Sequence, residues 1–161
     1  MASLGFVEAL EHLRRAEVEL IVVGMASAVL QGTPAVTQDI DIVHRRTPAN
    51  IERLLEALAS LDAVYRTDNR GIRPSASHLL GPGHNLLKTR AGDLDCLGTI
   101  DADLGYEDLE PDSIEIVLGA GLTCRVLELS RLIEIKQRAG RPKDLAVLPV
   151  LRATLDELRK R

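Results

Sequence analysis

At 161 residues, with 45% hydrophobic side chains and a formal net charge of −4, the chain is sized for one compact domain, residues 1–161, with a real core. One Phe, two Tyr and no Trp leave that core to Leu, Ile, Val and Ala and provide no aromatic platform for single-stranded nucleic acid. The acidic balance gives no basic footprint for a dedicated nucleic-acid grip, although a small site for a metal-bound nucleotide is compatible with it, because there the cation supplies the positive charge.

Met1-Ala2-Ser3-Leu4-Gly5 does not read as a signal peptide, and no apolar stretch approaches a membrane span, so a cytoplasmic protein with no membrane contact is expected. Phe6, Leu10 and Leu13 recur at helical spacing and predict a first amphipathic helix over 4–15. Glu19 to Val23 predicts a strand that Gly24 ends. Ala26 to Gln31 then reads as a short helix closed by Gly32 and broken by Pro34. Asp39 to Val43 predicts a second strand, and Thr47-Pro48 opens a helix through about Leu61. Ala63 to Thr67 predicts a third strand, and Asp68 to Gly83 a loop rich in Gly and Pro. Leu86 to Thr89 and Asp93 to Leu97 predict two strands joined at Ala91-Gly92, followed by a helical turn at Tyr106–Leu109 and strands at Ile114–Val117 and Thr123–Leu127. A helical C-terminal segment fills about 130–161: one helix capped by Ser130 and stopped at Gly140, then a last one opened by Pro142 and bent or interrupted at Pro149. The order is α+β: a mixed sheet with helices packed on it and a helical C-terminus. Cys96 and Cys124 lack ligand spacing and read as buried thiols. His44, His78 and His84 have no ligand spacing among them either.

Asp39 and Asp41 carry the chemical signal. Two residues apart on a strand, they share a face while Ile40 and Ile42 take the core side. Paired carboxylates repel one another and are costly to desolvate, which suits a cation between them. A strand edge or a cap is the plainer use of the same pair.

Gly24-Met25-Ala26, then Gly32, then Thr37-Gln38-Asp39-Ile40-Asp41 together resemble the nucleotidyltransferase (polymerase-β-like) superfamily, in which Gly-Gly or Gly-Ser, a helix and Asp-x-Asp follow in that order. Gly92-Asp93-Leu94-Asp95 looks like the later strand that bears the third carboxylate. Lys136, with Arg141-Pro142-Lys143-Asp144 after it, resembles the Lys…Arg-x-Lys-Asp motif of small bacterial members related to abortive-infection-type toxins. The resemblance spans roughly residues 18 to 150. It implies a nucleotidyltransferase fold and transfer of a nucleoside monophosphate from a nucleoside triphosphate to an acceptor: a protein hydroxyl, a tRNA end or a small molecule. It also implies two Mg²⁺ or Mn²⁺ ions on Asp39, Asp41 and Asp95, with Asp95 helping to deprotonate the acceptor. Gly24, Met25, Ser27, Thr37, Lys136 and Asp144 become the expected nucleotide contacts, and an antitoxin or a second copy of the chain the expected protein partner. Such transfer depends chiefly on positioning and charge, and a pair of ions about 3.5–4 Å apart holds both attacking and leaving oxygens.

Other uses of the same residues stand beside these. Asp93 rivals Asp95 but suits a turn after Gly92; Lys136 suits a surface helix; Asp144 suits the first turn of a helix. Met25 stands where the superfamily usually has Gly or Ser, and Ala35 where many members have Arg. Both departures weaken the nucleotide grip and spare the carboxylates. They support an alternative in which a degenerate nucleotidyltransferase fold binds nucleotide or a protein partner without transfer. A third expectation is a different metal-dependent phosphotransfer or hydrolase domain using the same carboxylates.

Overall fold

The computed structural model describes residues 4–161, so Met1 to Ser3 and the absence of a leader expected there lie outside the described residues. Helix α1 (Leu4–Arg15) leads into β1 (Leu20–Val23), α2 (Gly24–Leu30), β2 (Ile40–His44) and α3 (Pro48–Ser60). Then come β3 (Val64–Tyr65), α4 (Ala76–Leu80), β4 (His84–Thr89), β5 (Gly92–Leu97) and the single turn α5 (Tyr106–Leu109). Strands β6 (Ser113–Gly119) and β7 (Leu122–Leu127) and helices α6 (Leu129–Ala139) and α7 (Pro142–Arg159) complete the chain.

Among the described residues the strands form one mixed seven-stranded sheet in the order β3-β4-β5-β2-β1-β7-β6. The alternation of each central strand divides the core in two. Ile40 and Ile42 of β2, Leu94 and Cys96 of β5, and Leu20 and Val22 of β1 pack with Phe6, Leu10 and Leu13 of α1 and Leu54 and Leu58 of α3. The intervening residues Ile21, Val23, Val43 and Leu97 pack with Leu132, Ile133, Leu148 and Leu151 of α6 and α7. Both faces are therefore covered, as a sheet with parallel pairs at its centre requires. Cys96 and Cys124 are buried and free, as their neighbours suggest.

Local signals explain most boundaries. The Thr47 side chain accepts from Asn50 N–H, and Pro48 occupies the first helical position of α3. Gly140 adopts the left-handed conformation that closes α6. Four expectations need correction. Helix α2 begins at Gly24, two residues before the predicted start, because a positive φ of 62° lets the chain turn directly from strand into helix. Ser130 does not cap α6: the first free N–H, on Leu129, donates to Gln31 Oε1 at 3.2 Å, and Gln31 Nε2 donates to Leu127 O at 2.8 Å. Pro149 does not interrupt α7, since both Pro149 and Leu145, whose carbonyl loses its partner, lie on the exposed side. The expected loop of 68–83 contains α4, started by the Ser75 side chain.

Candidate active site

The pairing of β2 with β5 sets the site. These strands run parallel with Asp41 opposite Asp95. Because Ile40, Ile42, Leu94 and Cys96 face α1 and α3, both carboxylates emerge on the opposite face, the one that α6 and α7 cover. There the helices leave a cleft of ≈ 400 Å³. Gly24, Asp41 and Asp95 line its sheet side, and Lys136, Arg141 and Asp144 its helical side. A side chain at Gly24 would place its Cβ 3.0 Å from Asp41 Oδ2, so the carboxylate takes up the space a side chain there would need.

The sheet side is electrostatically strained. Burial first, then the charge of Asp95 and a hydrogen bond to it, then the charge of Asp39, push the Asp41 carboxyl from its ordinary 3.8 up to about 7; Arg66 opposes this in part. Arg66 grips Asp95 with both prongs of its guanidinium: Nη1 donates to Oδ1, and Nη2 donates to Oδ2 at 3.1 Å. Its Nε lies 3.8 Å from Asp93 Oδ2. Asp93 is thus a β5 residue paired to Arg66 rather than part of a turn.

The helical side is the converse. Asp144 is 1% exposed and holds two cations, accepting from Arg141 Nε at 2.6 Å and from Lys136 Nζ at 3.4 Å. Those bonds, that of Arg141 above all, hold its carboxyl below the usual carboxylate range. Asp101 also lines the cleft and is ion-paired to Arg138. Asp101 and Ala102, at φ 46° and 74°, form a tight left-handed turn there. His84 also lines the cleft, its Nε2 3.0 Å from Thr99 O; a carbonyl only accepts, so that nitrogen carries the proton.

Of the residues expected from the sequence, Gly24, Asp41, Asp95, Lys136 and Asp144 meet at this cleft. Asp39 precedes β2 and is exposed; it does not line the cleft, although its charge is felt at Asp41 and Arg66. Thr37 Oγ1 donates to Asp39 O at 3.1 Å. Met25 packs against the core under α6 and α7. Ser27 is fully buried and donates to Gly24 O at 2.7 Å. Ser27 lies on the buried face of α2. Neither its hydroxyl nor the side chains of Met25 and Thr37 line the cleft wall.

Among the described residues no three His, Cys, Asp or Glu side chains cluster as a ready-made metal centre. The strained pair at Asp41 and Asp95, with Asp39 beside it, nevertheless has the hard-oxygen chemistry that Mg²⁺ or Mn²⁺ favours. Arg66 was missed in the sequence because nothing in its spacing ties it to the aspartates; only the order of β3, β4 and β5 does. Arg141 lay within a recognised motif without a role of its own, and Asp101 carried no local signal.

No known protein family matches the chain, and no curated protein does. Among solved structures, the chain is similar to a protein from Thermotoga maritima (TM1012) that is provisionally described as a nucleotidyltransferase. The likeness has a TM-score of 0.57 at 18% identity and covers 93% of this chain and 89% of the other. With its mixed sheet and the order of its elements, the chain shares the α+β fold of that protein.

Proposed function

We propose that the protein is a metal-dependent nucleotidyltransferase. One observation carries this reading: a strained carboxylate pair on β2 and β5 faces, across one cleft, two cations that a buried aspartate holds in place. The cations suit a triphosphate, Lys136 as a point charge and Arg141 as a planar fork. Asp144 orients both. Gly24, without a side chain, lets the phosphates come close to the backbone. Asp39, Asp41 and Asp95 are the residues that would hold Mg²⁺ or Mn²⁺, whose chemistry is to neutralise the phosphoryl oxygens and orient attacking and leaving groups. In the transfer, an acceptor oxygen bonds to the α-phosphorus as the bond to the bridging oxygen breaks. Pyrophosphate leaves, and the acceptor proton passes toward Asp95.

The test is transfer of label from an α-labelled nucleoside triphosphate in the presence of Mg²⁺ or Mn²⁺, across protein, RNA and small-molecule acceptors. Labelled product is expected, and its loss in Asp39→Ala and Asp41→Ala with folding retained. A second reading, nucleotide binding without transfer, draws on Arg66 occupying Asp95. Tight binding with no labelled product from any acceptor would establish it. Phosphate release without a labelled adduct would point instead to hydrolysis.

A further inference from the structure

Arg66 has no part in the transfer scheme and does not itself line the cleft, yet it holds Asp95, which does, by two hydrogen bonds. It directly follows β3, where its backbone N–H donates to Leu86 O at 3.1 Å. Its side chain then crosses β4, donating from Nη1 to Leu87 O at 3.1 Å. Beyond β4 it reaches Asp95 with two bonds and approaches Asp93. The Arg66 side chain is 25% exposed and that of Asp95 12%, so solvent screens the pair only in part. A guanidinium fork engages the in-plane lone pairs of both carboxylate oxygens, which are the positions a divalent ion takes. Its charge also cannot be titrated away.

From this geometry we infer that Arg66 is a resident counter-cation that competes with a divalent ion for Asp95. A first ion therefore meets Asp39 and Asp41 alone, and Asp95 joins only when Arg66 lets go. The inference rests on the metal-dependent reading above. If Arg66 served only to staple β3 and β4 to β5, its loss would lower stability and leave ion affinity unchanged.

The test is a Mn²⁺ titration of the full-length chain, with free Mn²⁺ followed by electron paramagnetic resonance and folding by circular dichroism. Arg66→Gln is expected to bind Mn²⁺ about tenfold more tightly than wild type, because the ion no longer has to displace a forked guanidinium from both oxygens of Asp95. Wild type that binds Mn²⁺, with Arg66→Gln no tighter, overturns this inference and leaves the metal-dependent reading standing. If neither protein binds, both are overturned. If Arg66→Gln binds and wild type does not, the competition is established in its strongest form. Should Arg66→Gln not fold, Arg66→Lys carries the test: it keeps the charge and loses the fork, so an affinity about threefold tighter is expected, and no change overturns the inference.

Discussion

Replacing Asp41 with Asn is expected to make the protein more stable at neutral pH while removing its proposed activity. In the unfolded chain this carboxyl has its ordinary value of 3.8; in the fold, burial and the charges of Asp95 and Asp39 raise it to about 7. Between those two values the folded state binds the proton more readily than the unfolded state, so the stability of wild type falls as pH rises across that window. Above pH about 7 the whole penalty is present; below pH about 4 both states are protonated and it vanishes. At about 1.36 kcal/mol per pH unit, the interval corresponds to about 4 kcal/mol. An asparagine must still be partly desolvated and Asp95 remains behind, so a gain of about 2–4 kcal/mol is expected at pH 8. For a chain of this length that raises the melting temperature by roughly 4–16 °C. The assay is thermal or urea unfolding of both proteins from pH 4 to pH 8, without added metal. The gap should be widest at pH 8 and close as the pH approaches 4. Equal or lower stability of the variant at pH 8, or a gap that does not change with pH, would refute the electrostatic account of this site.

Three further outcomes are expected. Gly24→Ala should lose about 1–2 kcal/mol in a urea melt, because the residue adopts a φ of 62° and its new Cβ would lie 3.0 Å from Asp41 Oδ2; unchanged stability would mean that neither the backbone angle nor the Asp41 carboxylate opposes a side chain there. Asp144→Asn should destabilise by about 2–4 kcal/mol, since it leaves Arg141 and Lys136 without their buried partner. Because the Asp144 carboxyl lies below the usual range, that loss should be full at neutral pH and fade as pH falls through its depressed value. The variant should also raise KM for the nucleotide more than it lowers kcat. Neither thiol should react with Ellman's reagent in the native protein, and both should react in denaturant: burial puts Cys96 far above the ordinary thiol range and Cys124 at about 11. Rapid native labelling would contradict the packing of β5 and β7.

The legible parts of this chain were those written in short-range pattern. The alternation of Asp39-Ile40-Asp41-Ile42, the Thr47-Pro48 helix start and the Gly140 stop each depend on neighbours within a few residues, and each appears as an element or boundary close to where the sequence puts it. The meeting of Asp41 and Asp95 was implied only by resemblance; the sheet supplies the cause, a parallel register between β2 and β5. What could not be read came from distant partners. Gln31 caps α6 from a position 98 residues earlier in the chain, where a local serine was the natural expectation. Arg66 reaches Asp95 only because β3 and β5 flank β4. The start of α2 turned on one backbone angle at Gly24 that composition does not reveal, and Ser27, inside that helix, is buried with its hydroxyl on Gly24 O rather than in the cleft.

The central claim is that the carboxylates of β2 and β5 and the cations of α6 and α7 form one nucleotide-transfer site. It is tested most directly by incubating the wild type and Asp41→Asn with each of the four α-labelled nucleoside triphosphates, Mg²⁺ or Mn²⁺, and a panel of protein, RNA and small-molecule acceptors. The account predicts metal-dependent labelled product and pyrophosphate from the wild type, and neither from the stably folded variant. Equal transfer by the two proteins, or transfer that persists when the metal is chelated, would contradict it.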